Sequence, residues 1–370
     1  MNQIKPHPIY SKDATVHVMT GATKEAAFSL ALDRSRFQEN LEARWRASGR
    51  SREDFRIAIK PNIMTAAKRE ADSPVYTDPG LVEALIARMR SWGFRRFAVV
   101  ESRNVFDYSY RGRSVVAVAG MIGYSGAGYE IRDLTEEQEP FEYGSVLGVA
   151  GVGVAWRDAD YRISFAKNKT HWQCLYTACI KNVYGCLPQW DKMHHYHGRG
   201  IEFYESAVLI ADRLPVHFGL LDAWVSGDGL SGHVRDANPN RTRTIFASDN
   251  IFALDWVAGE KMGLDPSLNF VMQEALLRWG HIKIDRRGDL TPWEPWRNVR
   301  PFVVIALNWV EELYWLSRFL SRAMASDQDP RFRPVSRGQW FFGIFQSLTR
   351  LLERLLTRTS PSPRQLRRSA

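Results

Sequence analysis

The stretch FAKNKTHWQCLYTACIKNVYGCLPQWDKMHHYH, residues 165–197, holds four of the nine histidines of the chain, all three cysteines, and lysines at 167, 169, 181 and 192. Three chemistries suit such residues. Closely spaced thiolates and imidazoles hold zinc, and His171-x2-Cys174 with His194-His195-x-His197 offers donors of that type, His194 and His197 among them. Thiols also carry electrons. Ammonium groups bind phosphate or carboxylate, and a neutral imidazole among them can donate or accept a proton near pH 7.

On the anion reading, His171, Lys169 and Lys181 are the expected catalytic groups, because neighbouring lysines hold an imidazole toward its neutral form. Lys60, Asn62, Asp78, Lys167, Thr170 and Asn182 are then the expected ligand-binding residues. Asp222 and Asp228 are the expected carboxylate ligands of a divalent metal, with Gly227 and Gly229 allowing close backbone approach. Each reading has a plain counterpart. Free cysteine packs as a small apolar side chain, and neither a C-x2-C nor an H-x3-H pair is present. The carboxylates of residues 78, 101, 222 and 228 can neutralise the lysines internally. His171 can anchor a loop.

The elements that must position these groups are read from hydrophobic periodicity. Strands are expected at 14–19, 55–60, 95–102, 129–134, 161–167, 218–224 and 243–248, where β-branched and aromatic residues run between turn-type flanks. Thr77-Asp78-Pro79 starts a helix, since a capping side chain precedes a proline whose missing N–H costs little there. Leu81, Val82, Leu85, Ile86 and Met89 continue it and Gly93 ends it. Asp249 is expected to begin a helix closing near Gly263, and residues 22–48 and 204–214 also read as helical. Strand–helix alternation predicts an α/β fold, a mostly parallel sheet flanked by helices, with a C-terminal helical appendage. Ligands bind such sheets beyond the carboxyl ends of the strands. There the sequence places Lys60-Pro61-Asn62, Glu101, residues 167–171, Asp222 and Asp228.

These residues carry a resemblance. Lys60-Pro61-Asn62, Thr77-Asp78-Pro79, Lys169-Thr170-His171, Thr177, Lys181-Asn182, Gly185, a downstream histidine, Asp249 and Asp255 follow in the order of family 362 of the domain-of-unknown-function series. The chain resembles that bacterial and archaeal family over roughly residues 14–265, most specifically in the KTH…T…KN..G block. Members are often labelled iron–sulfur proteins, because some carry an appended ferredoxin-like domain. This chain departs from that pattern. A cluster needs four thiolates at short spacings such as C-x2-C-x2-C-x3-C, whereas Cys174, Cys179 and Cys186 stand at C-x4-C-x6-C.

Of 370 residues, 45% are hydrophobic and 25% charged, as in globular domains. Three clustered cysteines make no disulfide framework, and the first residues show no apolar signal core, so a cytoplasmic location is the expectation. The net charge of +9 is local: residues 331–370 carry nine arginines and one acid, Glu353. The rest of the chain is nearly neutral, which argues against nucleic acid as a partner. Within residues 338–358, Phe341, Ile344, Phe345, Leu348, Leu351, Leu352, Leu355 and Leu356 form one stripe beside Arg350, Arg354 and Arg358. That is the pattern of a helix lying on an anionic membrane, or of one packed on the domain or on a second subunit. The expected organisation is an α/β domain over 1–290, a linker over 291–337, the basic amphipathic helix over 338–358 and a disordered tail over 359–370. Three functions stay open: an enzyme for a small anionic ligand, with or without a divalent metal; a metal-binding or redox carrier; and a peripheral membrane scaffold.

Overall fold

The computed structural model of the chain describes residues 6–293, except 64–68, 71, 105–106, 108–109, 172, 189–191, 193–200 and 230–237, together with 305–306, 313 and 332–334. The strands are β1 Ala14–Thr20, β2 Arg56–Pro61, β3 Arg96–Glu101, β4 Tyr110–Arg111, β5 Glu130–Asp133, β6 Gln138–Gly144, β7 Gly148–Gly153, β8 Tyr161–His171, β9 Leu175–Thr177, β10 Phe218–Asp228, β11 Asn238–Asn240, β12 Thr244–Ser248, β13 Ile284–Gly288 and β14 Arg333–Pro334. The helices are α1 Lys24–Arg34, α2 Phe37–Ser48, α3 Pro79–Ser91, α4 Val115–Ile122, α5 Val154–Arg157, α6 Cys179–Val183, α7 Ile201–Arg213, α8 Ile251–Lys261 and α9 Phe270–Trp279.

One sheet runs in the order β13-β1-β12-β10-β8-β2-β3-β5, with β9 beside β8 and β11 beside β10. Its centre, β10-β8-β2-β3-β5, is wholly parallel. β12 runs antiparallel between β10 and β1. From β2 the chain builds outward through β3 and β5, then returns to lay β8 and β10 on the other side of β2. The strand order therefore reverses between β2 and β8, the place where open α/β sheets form their ligand crevice.

The side-chain period of two divides the core. Ile57, Ile59, Tyr161, Ile163, Phe165, Phe218 and Leu220 pack with α1, α2, α3 and α4 on one face. Ala58, Ala166, Leu221 and Ala223 pack with α6, α7, α8 and α9 on the other. The helix starts are capped as the residue types require. Thr23, Asp78 and Ser114 accept from backbone N–H groups of α1, α3 and α4.

Several expected boundaries move. The helix expected over 22–48 breaks at Arg36, which takes a left-handed φ of 55° so that Phe37 can enter the core. The cap of α8 is Asn250, whose side chain accepts from Phe252 and Ala253, rather than Asp249. β8 runs through His171 and β10 through Asp228, well past the expected ends at 167 and 224. β9 folds back to pair with residues 169–171, which gives that polar run a ladder to join. The strands β6, β7 and β13 lack a clear alternating apolar pattern and were not expected. Among the described residues no helix is long and apolar enough to cross a membrane. The linker expected over 291–337 is described at only a few positions, and the helix expected over 338–358 and the tail lie outside the described residues.

Candidate functional site

The carboxyl ends of β2, β3, β8 and β10 bury an unusual density of charge: Lys60, Glu101, Lys167, Lys169, Asp222 and Asp228 are each at most 5% exposed. Strand alternation sorts them. Ala58 points to the α6 side of the sheet, so Lys60 two residues on does too. Phe165 points to the α3 side, so Lys167, Lys169 and His171 follow it while Asn168 and Thr170 face the other way. The residues expected to form one pocket are thus distributed over both faces of the sheet.

On the α3 side, Lys167 Nζ donates to Asp222 Oδ2 at 3.0 Å. The same oxygen accepts the N–H of Asp78, and Asp222 Oδ1 accepts the N–H of Trp224. Asp78 Oδ1 accepts from Gly80 at the start of α3, and its other oxygen pairs with Lys24. These contacts lock β8, β10 and α3 together, and they engage both oxygens of Asp222. Asp222, an expected metal ligand, is the hub of that lock. Asn62 serves the same lock through its backbone: its N–H meets Thr77 Oγ1, and Thr77 in turn donates to the Phe165 carbonyl. Asp228 closes β10, paired in register with Asn238. Among the described residues no group of three or more His, Cys, Asp or Glu side chains is arranged to hold a metal ion. His194 and His197 lie outside the described residues.

His171 ends β8 opposite Leu175, which takes a left-handed φ of 66° to turn the chain into β9. The ring accepts the Gln173 N–H at Nδ1, 3.2 Å, so the neutral imidazole carries its proton on Nε2. It is therefore set to donate there rather than to act as a base. Lys169 packs its Cβ against Gly227, where a side chain would also strike the Pro74 carbonyl. Thr170 hydrogen-bonds the carbonyls of Gly227 and Gly229 and so fastens the end of β10.

On the α6 side, Lys60 Nζ donates to Glu101 Oε2 at 2.7 Å, to the Pro61 carbonyl and to Asn182 Oδ1. An ammonium group has three protons, so Lys60 is saturated. Asn182 returns two hydrogen bonds, to the Lys60 carbonyl and to Ser164 Oγ. Both residues, expected to bind ligand, are tied into the frame by these bonds. Lys181 and Asn182 sit within α6. The reason is Asp255 of α8, whose two oxygens accept the N–H groups of Cys179 and Ile180 at 2.8 Å and cap that short helix. Burial pushes the Asp255 carboxyl up to about 7 against the lowering effect of those two hydrogen bonds. Gly185 follows because a Cβ there would lie 2.5 Å from Glu101 Oε1 and 2.6 Å from Lys60 Cε. The buried ion pair occupies the space of a side chain.

Above this frame lies a second group. Lys181 Nζ sits 4.5 Å from the Tyr184 ring centre and 4.7 Å from that of Phe203, within cation–π range. Lys192, 4% exposed, donates to Ser102 Oγ at 2.6 Å and lies 5.7 Å from the Tyr184 ring. Burial brings its ammonium down to about 8; Glu101 opposes the change while Lys60 and Lys181 reinforce it. Sequence reasoning missed Lys192 and Ser102 as a pair, since 90 residues separate them. The cysteines are fully buried, and burial pushes the Cys179 and Cys186 thiols up, away from the thiolate that metal binding or exchange requires.

The opposite edge of the sheet also holds a cleft. Arg56, Arg96, Tyr129, Glu130, Arg132 and Asp158 border a space of about 590 Å³ around the amino ends of β2, β3 and β5. Its arginines are engaged: Arg96 with Asp54, Arg56 with Asp158, and Arg132 with Glu130 and Glu137.

Comparison with known proteins gives three findings. The family model described as "Domain of unknown function (DUF362)" matches residues 57–260, which contain both faces of the strand-end cluster. The thylakoid-associated protein sll1697 of Synechocystis sp. is 31% identical over 113 residues, 30% of this chain and 35% of that protein. The match thus spans about a third of the length of that curated relative. Among solved structures, the lactate racemase apoprotein from Thermoanaerobacterium thermosaccharolyticum aligns at 12% identity with a TM-score of 0.39, over 60% of this chain and 52% of that one.

Proposed function

The chain belongs to the DUF362 family, and on that premise we propose that it is an enzyme acting on a small phosphate- or carboxylate-bearing molecule at the carboxyl edge of β2, β3 and β8. The observation that carries this reading is Lys192. It is a buried ammonium group held by a hydroxyl, with Lys60 and Lys181 acting on it as like charges and the nearby Glu101 already engaged by Lys60. A buried cation in that setting is stabilised by an anion, and the strand-order reversal supplies the place for one. Lys181, on its aromatic shelf of Tyr184 and Phe203, is the second anion ligand.

Thermal denaturation with inorganic phosphate and a panel of small carboxylates tests the reading. A ligand at a hundredfold its Kd adds about 2.7 kcal/mol, a rise of about 5 °C or more for a domain of this size. The rise is expected to vanish in Lys181→Met and Lys192→Met. No rise with any anion, or a rise unchanged in both variants, would overturn it.

The similarity to a thylakoid-associated cyanobacterial protein, together with the arginine-flanked apolar stripe of residues 338–358, supports attachment of this protein to an anionic membrane surface.

A further inference from the structure

We propose that Lys192 is a nucleophilic amine that condenses with the carbonyl group of an anionic aldehyde or 2-oxo acid, a reading that rests on the anion site proposed above and names its substrate class. The geometry begins at Ser102. Its Oγ lies 2.5 Å from the Gly185 carbonyl oxygen and 2.8 Å from that of Leu187. The hydroxyl proton is committed to those carbonyls, so toward Lys192 the oxygen acts as an acceptor. It holds the amine by one N–H. In the neutral amine the lone pair then points away from Ser102.

Among the described residues, the titratable groups that act on Lys192 are Lys60 on β2, Glu101 on β3, Lys181 on α6 and Cys186 in the turn after α6. Two of them are cations, one is a carboxylate engaged by Lys60, and the thiol of Cys186 is held in its neutral form by burial. This setting lowers the cost of losing a proton from Lys192. It brings the amine down to about 8, so that about a tenth of it is neutral at pH 7. Lys181 remains a cation on its aromatic shelf and suits the anionic end of the substrate. In the step, the nitrogen lone pair forms a bond to the carbonyl carbon and the π pair moves to oxygen. A proton then passes from nitrogen to oxygen, and loss of water leaves the imine.

The test uses the full chain with glyoxylate as probe and cyanoborohydride to reduce any imine to a stable secondary amine. Intact mass and peptide mapping are expected to show one dominant adduct on Lys192, formed at least tenfold faster than on the surface lysines. Lys192→Arg should remove it while circular dichroism stays unchanged. Ser102→Ala should slow it severalfold, as the amine loses its fixed orientation. Glycolaldehyde, an uncharged aldehyde, separates the two readings. Equal rates for both aldehydes would sustain the amine chemistry and refute the anion site. A melting-temperature rise with phosphate but no adduct on Lys192 would refute the nucleophile and leave the anion site standing. Labelling spread evenly over many lysines would also refute it.

Discussion

At the scale of single residues, the lysines at the strand ends divide into those that hold the frame and those that face outward from it. Lys60 belongs to the first kind, with its three protons on Glu101, Pro61 and Asn182. Its side chain and that of Glu101 are 2% and 7% exposed, so the pair is a buried one. Removing one partner of such a pair leaves a charge in low dielectric and costs about 3–5 kcal/mol, whereas replacing both with apolar groups is often neutral. Lys60→Met alone should therefore lower stability by about that amount, and Lys60→Met with Glu101→Leu should recover most of the loss. Chemical denaturation of the two single variants and the double variant measures the coupling. Additive losses would show that the pair contributes nothing as a pair. That carboxylates at 78, 101, 222 and 228 could neutralise the strand-end lysines was legible from the sequence as the plain alternative to a ligand pocket, because each sits near a strand end; which lysine meets which carboxylate was not. The bond from Lys192 to Ser102 was not legible, since no local pattern brings residue 102 beside residue 192.

At the scale of elements, β-branched and aromatic runs between turn-type flanks located the seven principal strands, though β8 and β10 each run four residues past the expected end. It failed where polar residues are buried. Residues 168–171 were expected just past the end of a strand closing at 167, yet 167–171 are all buried strand residues, with polar partners drawn from β10, the residue that follows it and the turn between β8 and β9. The short helix α6 escaped for a related reason: its cap, Asp255, comes from α8 rather than from the residue before it. That cap makes the positioning of Lys181 and Asn182 dependent on pH. The folded carboxyl sits at about 7 where the model-peptide value is 3.8. Between those values the native state binds more protons than the unfolded chain, so this group's contribution to stability falls as pH rises through the window. Asp255→Asn presents one amide oxygen and no titration, so it should cost about 1–3 kcal/mol at pH 5 through a lost hydrogen bond. The gap to the native chain should then narrow by pH 8. Melting curves across that range check it, and a gap independent of pH would mean that the carboxyl does not titrate in the window.

At the scale of the whole molecule, charge separates the chain into a nearly neutral body and a basic end, residues 331–370, that carries nine arginines and one acid. The described part of that end is β14, which pairs antiparallel with β4, Arg333 against Arg111 and Pro334 against Tyr110. β4 lies in the segment that follows β3, the strand whose last residue is Glu101 and which leads into Ser102. Flotation with vesicles separates the readings of residues 338–358 by their salt dependence. A helix held by arginine on anionic lipid should carry the full chain with phosphatidylglycerol vesicles at low salt, and much less so near 0.5 M, where screening shortens to a few ångströms. Neutral phosphatidylcholine vesicles should recover far less protein. Removing residues 338–370 should abolish flotation and leave the melting temperature of the body within about 2 °C, since a surface helix contributes little to a separate core. Equal flotation without those residues would refute membrane attachment through the tail. A large fall in melting temperature would instead show that the apolar stripe packs on the α/β body.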